Sequence, residues 1–318
     1  MATKPHIIAI EEHYYDRELH ALFAKHDVVD SPWIGERLAD LSNLRIKEMD
    51  EAGIDMQVLS HGAQSLHLLD RATAVRLAPA VNDRLYDAVQ RHPARFAAFA
   101  ALPTPDPQAA AAELERAVTR LGFKGAMVHG LTEGQFLDHK RFWPIFERAA
   151  ALDVPIYFHP ATTPHPAVMD AYFNDYAKEY PLFFRSGWGY AMETGAQGIR
   201  LVLSGLFDAY PDLKIILGHL GEGIPLLLWR VDQALSRSGK INFREIFSKH
   251  FWVTTSGFFS NPALQCCIAE LGIDHVIFSV DYPYMPNARA AEWLPTIPLN
   301  ETDRGKLLSG NVTRLLKL

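Results

Sequence analysis

The chain has 318 residues, 48% of them apolar and 21% charged, with a formal net charge of −6. Such a chain is long enough for one large domain or two ordinary ones and buries a core without staples, and its near-average composition argues against wholesale disorder and a fibrous architecture. The acidic balance argues against a nucleic-acid or anionic-membrane surface, and no run approaches the roughly 18–20 apolar residues of a membrane span.

Eight short apolar runs recur along the chain: His6–Glu12, Met56–His61, Phe96–Leu102, Gly125–His129, Pro155–His159, Lys214–His219, Phe251–Thr255 and Val276–Asp281. Several are unbroken rather than alternating, the pattern of strands covered on both faces. Between them lie segments with helical periodicity: Gly35–Ala52, Pro107–Leu121 closed by Gly122, Phe142–Leu152, Tyr190–Tyr210, Ile224–Leu235, Pro262–Leu271 and Asp303–Leu316. Strands alternating with helices imply parallel βαβ units, and eight of them predict an α/β fold, a (β/α)8 TIM barrel forming a single domain over 1–318. A doubly wound open sheet is the competitor. It normally carries a glycine-rich phosphate loop after its first strand, a place taken here by EEHYY. Two stretches exceed simple connectors, Tyr14–Ile34 after strand one and the aromatic-rich Ala161–Gly189 after strand five. Both leave the strand ends where barrel active sites are built. The aromatics of the second loop are expected to line a ring pocket or, more readily, a subunit contact.

The two cysteines, Cys266 and Cys267, are neighbours and match no zinc or redox spacing, which points to a reducing compartment. The opening apolar run is too short for a signal peptide, so a cytoplasmic location is expected.

The polar residues closing the strands carry the chemistry. Strand one ends in Glu11-Glu12-His13, and alternation puts Glu11 and His13 on one face. Strand five ends in His159, strand six in His219 followed by Gly221-Glu222, and strand eight in Asp281. A single histidine at a strand end is more often structural than a ligand. Four strands closed on the same side by metal-type residues form a different pattern. Glu, two His and Asp make a mixed nitrogen–oxygen site for one divalent ion, with room for water or substrate.

Those residues, with the segments IAIEEHYY, FAAFAALPTPDP, LDVPIYFHP, SGLFDAYPDLKIILGHLGEGIPLLLWRVD, FWVTTSGFFSNPAL and VIFSVDYPY, resemble the amidohydrolase superfamily over almost the whole chain. Within it they are similar to the nonoxidative aromatic decarboxylases, the gamma-resorcylate (2,6-dihydroxybenzoate) decarboxylases being the nearest group. The resemblance implies metal ligands at Glu11, His13, His159 and Asp281. It implies His219 and Glu222 as the motif pair beside the metal that orients substrate and relays protons, and Arg230 as an arginine reaching a neighbouring subunit's site. Tyr284 falls where the gamma-resorcylate group has phenylalanine near the substrate ring. There are departures around the substrate side of the mouth: His129 stands where asparagine is expected, His61 ends strand two, and the loop after strand four is short.

The expected activity is reversible, metal-dependent decarboxylation of a small hydroxybenzoate-type aromatic acid such as 2,6- or 2,3-dihydroxybenzoate. The ion chelates the carboxylate and an ortho hydroxyl, and Asp281 protonates the ring carbon. The expected cofactor is one Zn2+ or Mn2+, with Mg2+ a third candidate, and no organic cofactor. The expected assembly is a homodimer or homotetramer. The alternative is a metal-dependent hydrolase that activates water against a lactone, ester or amide. Ser60, Ser204 and Ser256 lack a nucleophile-elbow context, so no serine triad is expected.

Overall fold

A computed structural model describes residues 6–23, 31–161 and 164–318. Parts of the two long connectors, 24–30 and 162–163, lie outside the described residues, so the expectations about those loops concern only the rest of each. The strands are β1 (Ile8–Tyr14), β2 (Met56–His61), β3 (Phe96–Ala98), β4 (Ala100–Ala101), β5 (Ala126–His129), β6 (Ile156–His159), β7 (Ile215–Leu217), β8 (Phe251–Thr254) and β9 (Val276–Ile277). All pair in parallel in the orders β1-β2-β3 and β4 through β9. The third expected strand is split at Phe99, whose N–H bonds back to Leu59 while the next residue's N–H bonds forward to Gly125. The two halves hold one position in the ring. Closure comes from a parallel bridge between Glu12 and Tyr282, with His13 N–H donating to the Tyr282 carbonyl (2.7 Å) and Asp281 N–H to the Glu11 carbonyl (3.0 Å). The result is the expected eight-position barrel.

A single residue inserted in β1 decides what the mouth contains. The β1–β2 register shifts between Ala9 and Glu12. Two consecutive amides, of Ile10 and Glu11, both donate to the Ser279 hydroxyl (3.2 and 2.6 Å). Strict alternation lets only one of the sets Ile8/Ile10 and Glu11/His13 face inward; the bulge turns both to the lumen. Ile8 and Ile10 cluster with Val58, Phe99, Met127, Tyr157, Ile216 and Ile277, and Leu315 and Leu316 of the C-terminal helix seal this plug. On β2, β5 and β6 the residue two beyond the plug, Ser60, His129 and His159, faces the mouth on top of it.

Several expected helices differ. The segment Gly35–Ala52 is two helices, Pro32–Ala39 and Asn43–Ala52, because Asp40 is extended and its carboxylate accepts from the amides of Ser42 and Arg45 (3.0 Å each). Tyr190–Tyr210 is Gly189–Leu203 and a separate turn, Leu206–Ala209. A 21-residue helix, Arg71–Arg91, was not expected at all. Its core stripe of Ala74, Leu77, Ala78, Val81, Leu85 and Ala88 is half alanine, and Pro79 interrupts it. Asp70, which caps it by accepting from Thr73 N–H (3.0 Å), was the readable signal. The expected sixth strand stops at Leu217, so His219 is not on a strand. The eighth stops at Ile277, and Asp281 lies four residues beyond. In the loop after β6, Phe173 and Phe184 are buried while Tyr172, Tyr176, Tyr180 and Trp188 are exposed.

Candidate metal centre

Glu11, His13, His159 and Asp281 each offer one ligand atom, and these atoms all lie within 4.8 Å of one another at the barrel mouth. On Glu11, His13 and His159 that atom is presented by a second contact that occupies the rest of the side chain. Glu11 Oε2 accepts from the Ser256 hydroxyl (2.6 Å) and from the Tyr157 hydroxyl, which also meets Thr254 Oγ1 (2.8 Å). That leaves Glu11 Oε1 facing the cluster. His13 Nδ1 is 3.3 Å from Ser60 Oγ, and His159 Nδ1 is 2.8 Å from the Pro160 carbonyl, so each ring presents Nε2. This is how metal-binding imidazoles and carboxylates are oriented. Two glycines make the room: a Cβ on Gly218 would stand 2.6 Å from Glu11 Oε2, and one on Gly257 would stand 3.0 Å from Asp281 Oδ2.

The donor set fits a divalent cation. Glu11 Oε1, His13 Nε2 and Asp281 Oδ1 are buried without a hydrogen-bond partner. The His13–Asp281 approach of 3.2 Å is an ion-pair distance without hydrogen-bond geometry. Three orphaned polar atoms converging in one spot are costly unless something charged sits between them. Burial opposes ionisation of Glu11, yet His219, His13 and His159 together hold its carboxyl far below the usual range. Burial alone would lower His13, but Asp281 and Glu11 outweigh it and push the ring up to about 9. For His159 burial wins, reinforced by His13, and the ring is pulled down to about 4. Two carboxylates among imidazoles suit Mn2+, Zn2+ or Mg2+. Among the described residues this is the only such cluster.

His219 sits beside the cluster, not in it. Residues 219–223 run through a left-handed turn, with φ of 49° at His219, 54° at Leu220 and 53° at Glu222, and glycines at 221 and 223. Left-handed backbone at a non-glycine residue costs roughly 1–2 kcal/mol, and the turn is kept by what it aims. It brings Glu222 Oε1 to 2.7 Å from His219 Nδ1 and points His219 Nε2 at Glu11 Oε1 (3.5 Å) and Asp281 Oδ2 (3.8 Å). Burial opposes the charged ring, yet Glu222 and Glu11 hold it well above the ordinary histidine range. Asp281 also has a left-handed backbone, φ 74°. Burial raises its carboxyl, but His13 and His219 hold it below the usual value.

The other expected site residues are placed differently from one another. Tyr284 stands at the rim, its ring 5.7 Å from that of His13 and its hydroxyl 2.9 Å from the Tyr15 hydroxyl. Arg230 is not brought to this mouth. It is exposed on the helix Ile224–Leu235 and has no hydrogen bond or ion pair among the described residues. Sequence reasoning missed the supporting layer. Glu12, on the opposite face from Glu11, accepts from Ser279 Oγ, Val280 N–H and Gln57 Nε2. Burial is nonetheless the largest influence on it and pushes its carboxyl up to about 8. Arg45, fully buried, reaches Gln57 Oε1 (3.2 Å) and lies over the Tyr282 ring. Arg45 sits among ordinary helical residues in sequence, and nothing local marks it.

Comparison with known proteins agrees with this geometry. Residues 13–318 match the family model described as amidohydrolase. A gamma-resorcylate decarboxylase of Polaromonas sp. (strain JS666) is 38% identical, over 98% of each chain. A crystal structure of dihydroxybenzoic acid decarboxylase from Polaromonas sp. JS666, with bound manganese and the inhibitor 2-nitroresorcinol, superposes with a TM-score of 0.91 at 37% identity, covering 99% of this chain and 98% of that one. A 5-carboxyvanillate decarboxylase from Sphingomonas paucimobilis gives 0.91 at 33% identity, covering 99% and 100%.

Proposed function

We propose that this chain, which belongs to the amidohydrolase family, is a divalent-metal-dependent carboxy-lyase that removes CO2 from a hydroxybenzoate-type acid. The observation that carries this reading is the buried Glu11–His13–His159–Asp281 cluster with three unpartnered ligand atoms. The relatives named for dihydroxybenzoate and 5-carboxyvanillate decarboxylation, one of them with manganese bound, support the reaction class.

When bound by Glu11, His13, His159 and Asp281, a single divalent ion supplies Lewis-acid polarisation of the substrate's carboxylate and ortho hydroxyl and fixes their orientation. The remaining chemistry belongs to the chain. Asp281, ionised at rest, takes a proton from His219 and delivers it to the ring carbon bearing the carboxylate. A C–H bond forms there, the bond to the carboxylate carbon breaks, its electron pair returns to the ring, and CO2 leaves. His219, kept cationic by Glu222 on its far nitrogen, holds the substrate's oxygen and replaces the proton on Asp281, 3.8 Å away. Tyr284 borders the ring. The same steps reversed carboxylate a phenol at high bicarbonate.

The whole chain, 1–318, acts as one barrel domain. No described helix is long and apolar enough to cross a membrane, and a cytoplasmic enzyme is our reading. The exposed Leu226 (78%), Leu227 (52%) and Trp229 (65%) beside Arg230 favour a homodimer or homotetramer in which Arg230 serves a neighbouring copy's mouth.

The test is a turnover screen. Protein loaded with Mn2+, Zn2+ or Mg2+ is offered a panel of hydroxybenzoates while CO2 release and ultraviolet loss are followed. Metal-dependent CO2 release from at least one ortho-hydroxybenzoate is expected. Silence across the panel, with metal bound and the fold intact, overturns the reading and returns the site to water activation against a lactone, ester or amide.

A further inference from the structure

On the β2/β5 side of the mouth, a second group of buried polar atoms has no partner, and the decarboxylase chemistry above does not use it. His129 ends β5 in direct register with His159 on β6, so the two rings leave the same face of the sheet. Met127, two residues earlier, is in the barrel plug, which fixes that face as the lumen. His67 follows β2 in the turn Leu66–Leu68 and stacks on His129, with centroids 5.6 Å apart and planes at 21°. His129 in turn meets the ligand His159 edge-on at 5.2 Å. Both side chains are more than nine-tenths buried, at 5% and 4% exposure. Neither nitrogen of His67 has a hydrogen-bond partner, nor has His129 Nε2.

Each ligand histidine, by contrast, has one nitrogen tied to the protein. Buried imidazoles left without partners are costly, and two of them, one stacked on the other and the second edge-on to His159, mark a place where something polar is meant to sit. An imidazole both donates and accepts. The matching group is a neutral hydroxyl, which does the same, and not a second carboxylate, which only accepts.

We propose that His67 and His129 form a subsite for a second ring hydroxyl of the aromatic acid, separate from the carboxylate and ortho hydroxyl that the metal residues take. This rests on the reading of the site as one for hydroxybenzoates. The consequence is selectivity. A site built to hydrogen-bond a hydroxyl rejects the analogue lacking it, because its own buried groups then stay unpaired.

The experiment measures, by stopped-flow on a millisecond scale and so before turnover at about 10 s⁻¹, the affinities of the Mn2+-loaded protein for 2-hydroxybenzoate and for 2,3-, 2,4-, 2,5- and 2,6-dihydroxybenzoate. At least one dihydroxy isomer is expected to bind about tenfold more tightly than 2-hydroxybenzoate. In the double variant His67→Leu/His129→Leu, of similar side-chain volume, that ratio falls to within about twofold while one Mn2+ per chain is retained. His129→Asn, which keeps a donor and an acceptor, preserves most of it. If the double variant does not fold or loses Mn2+, His129→Leu alone is expected to lower the ratio and His129→Asn to restore it. The proposal is overturned if no dihydroxy isomer is favoured by the unmodified protein, or if the preference survives loss of the imidazoles. Affinity is read without turnover, so failure to release CO2 from any of the acids counts against the decarboxylase reading and not against the subsite.

Discussion

The two sides of the barrel mouth are built on opposite plans. On the side formed by β1, β6 and the turns after β7 and β9, candidate ligand atoms are aimed by contacts, Ser256 and Tyr157 on Glu11, Ser60 on His13 and Pro160 on His159, and Glu222 aims His219 beside them. On the side formed by the ends of β2 and β5, His67 and His129 keep unpartnered nitrogens, as does His61 on the opposite face of β2 from Ser60. The first side is preorganised, so binding an ion there needs little rearrangement. The second is left for the substrate to complete. Binding energy spent there depends on which acid arrives, and selectivity resides where the protein's own hydrogen bonding is unfinished.

Experiments on the two sides are expected to diverge. Stripping the ion with EDTA abolishes CO2 release on hydroxybenzoates, and Mn2+ restores it; turnover by metal-free protein breaks the picture of the first side altogether. Asp281→Asn keeps the size of the side chain but removes the acid, and kcat falls about 10²–10⁴-fold, measured on protein whose Mn2+ content has been checked. Ser256→Ala frees Glu11 Oε2 from one of its two anchors and weakens Mn2+ affinity about 10–100-fold, read by competition with a chelating dye. His61 offers the smallest effect. Its Nδ1 lies 3.0 Å from the Gly62 carbonyl and its ring stacks on Tyr15. His61→Phe keeps the stacking and discards an unpartnered nitrogen, so stability in urea changes by less than about 1.5 kcal/mol and Mn2+ affinity is untouched. A loss of metal in that variant erases the distinction between the sides.

Outside the mouth, Arg45 tests how far support extends. Its guanidinium is wholly buried against the Tyr282 ring and donates to Gln57 Oε1 and to the carbonyls of His13 and Asp40. Arg45→Met leaves Gln57 Oε1 and the carbonyls of His13 and Asp40 without their donor and costs about 1–3 kcal/mol of stability in urea unfolding.

How much of this was legible depends on the range over which each signal acts. The barrel was readable because strand periodicity is local and repeats eight times, with helical periodicity in most of the gaps. The helix Arg71–Arg91 escaped because an alanine-rich stripe interrupted by Pro79 carries weak periodicity. Glu11, His13, His159, His219, Glu222 and Asp281 stood out because each ends or follows an apolar run, where a polar residue is conspicuous. Tyr157, Ser256 and Arg45 did not stand out, since a tyrosine inside a strand or an arginine inside a helix has many ordinary explanations. The bulge that turns both Ile10 and Glu11 inward has no local mark. It depends on Ser279, 268 residues from Glu11 along the chain.

The sequence by itself therefore determined the architecture, the family and the identity of the candidate ligands, because hydrophobic periodicity and residue chemistry are properties of short segments. Only the tertiary structure decided which atom of each ligand faces the centre, that His219 stands beside the cluster on a left-handed turn, that Arg230 lies away from its own mouth, and that His67 is stacked on His129. Those facts arise from contacts between residues distant in the chain, which closure of the barrel creates and no local pattern encodes.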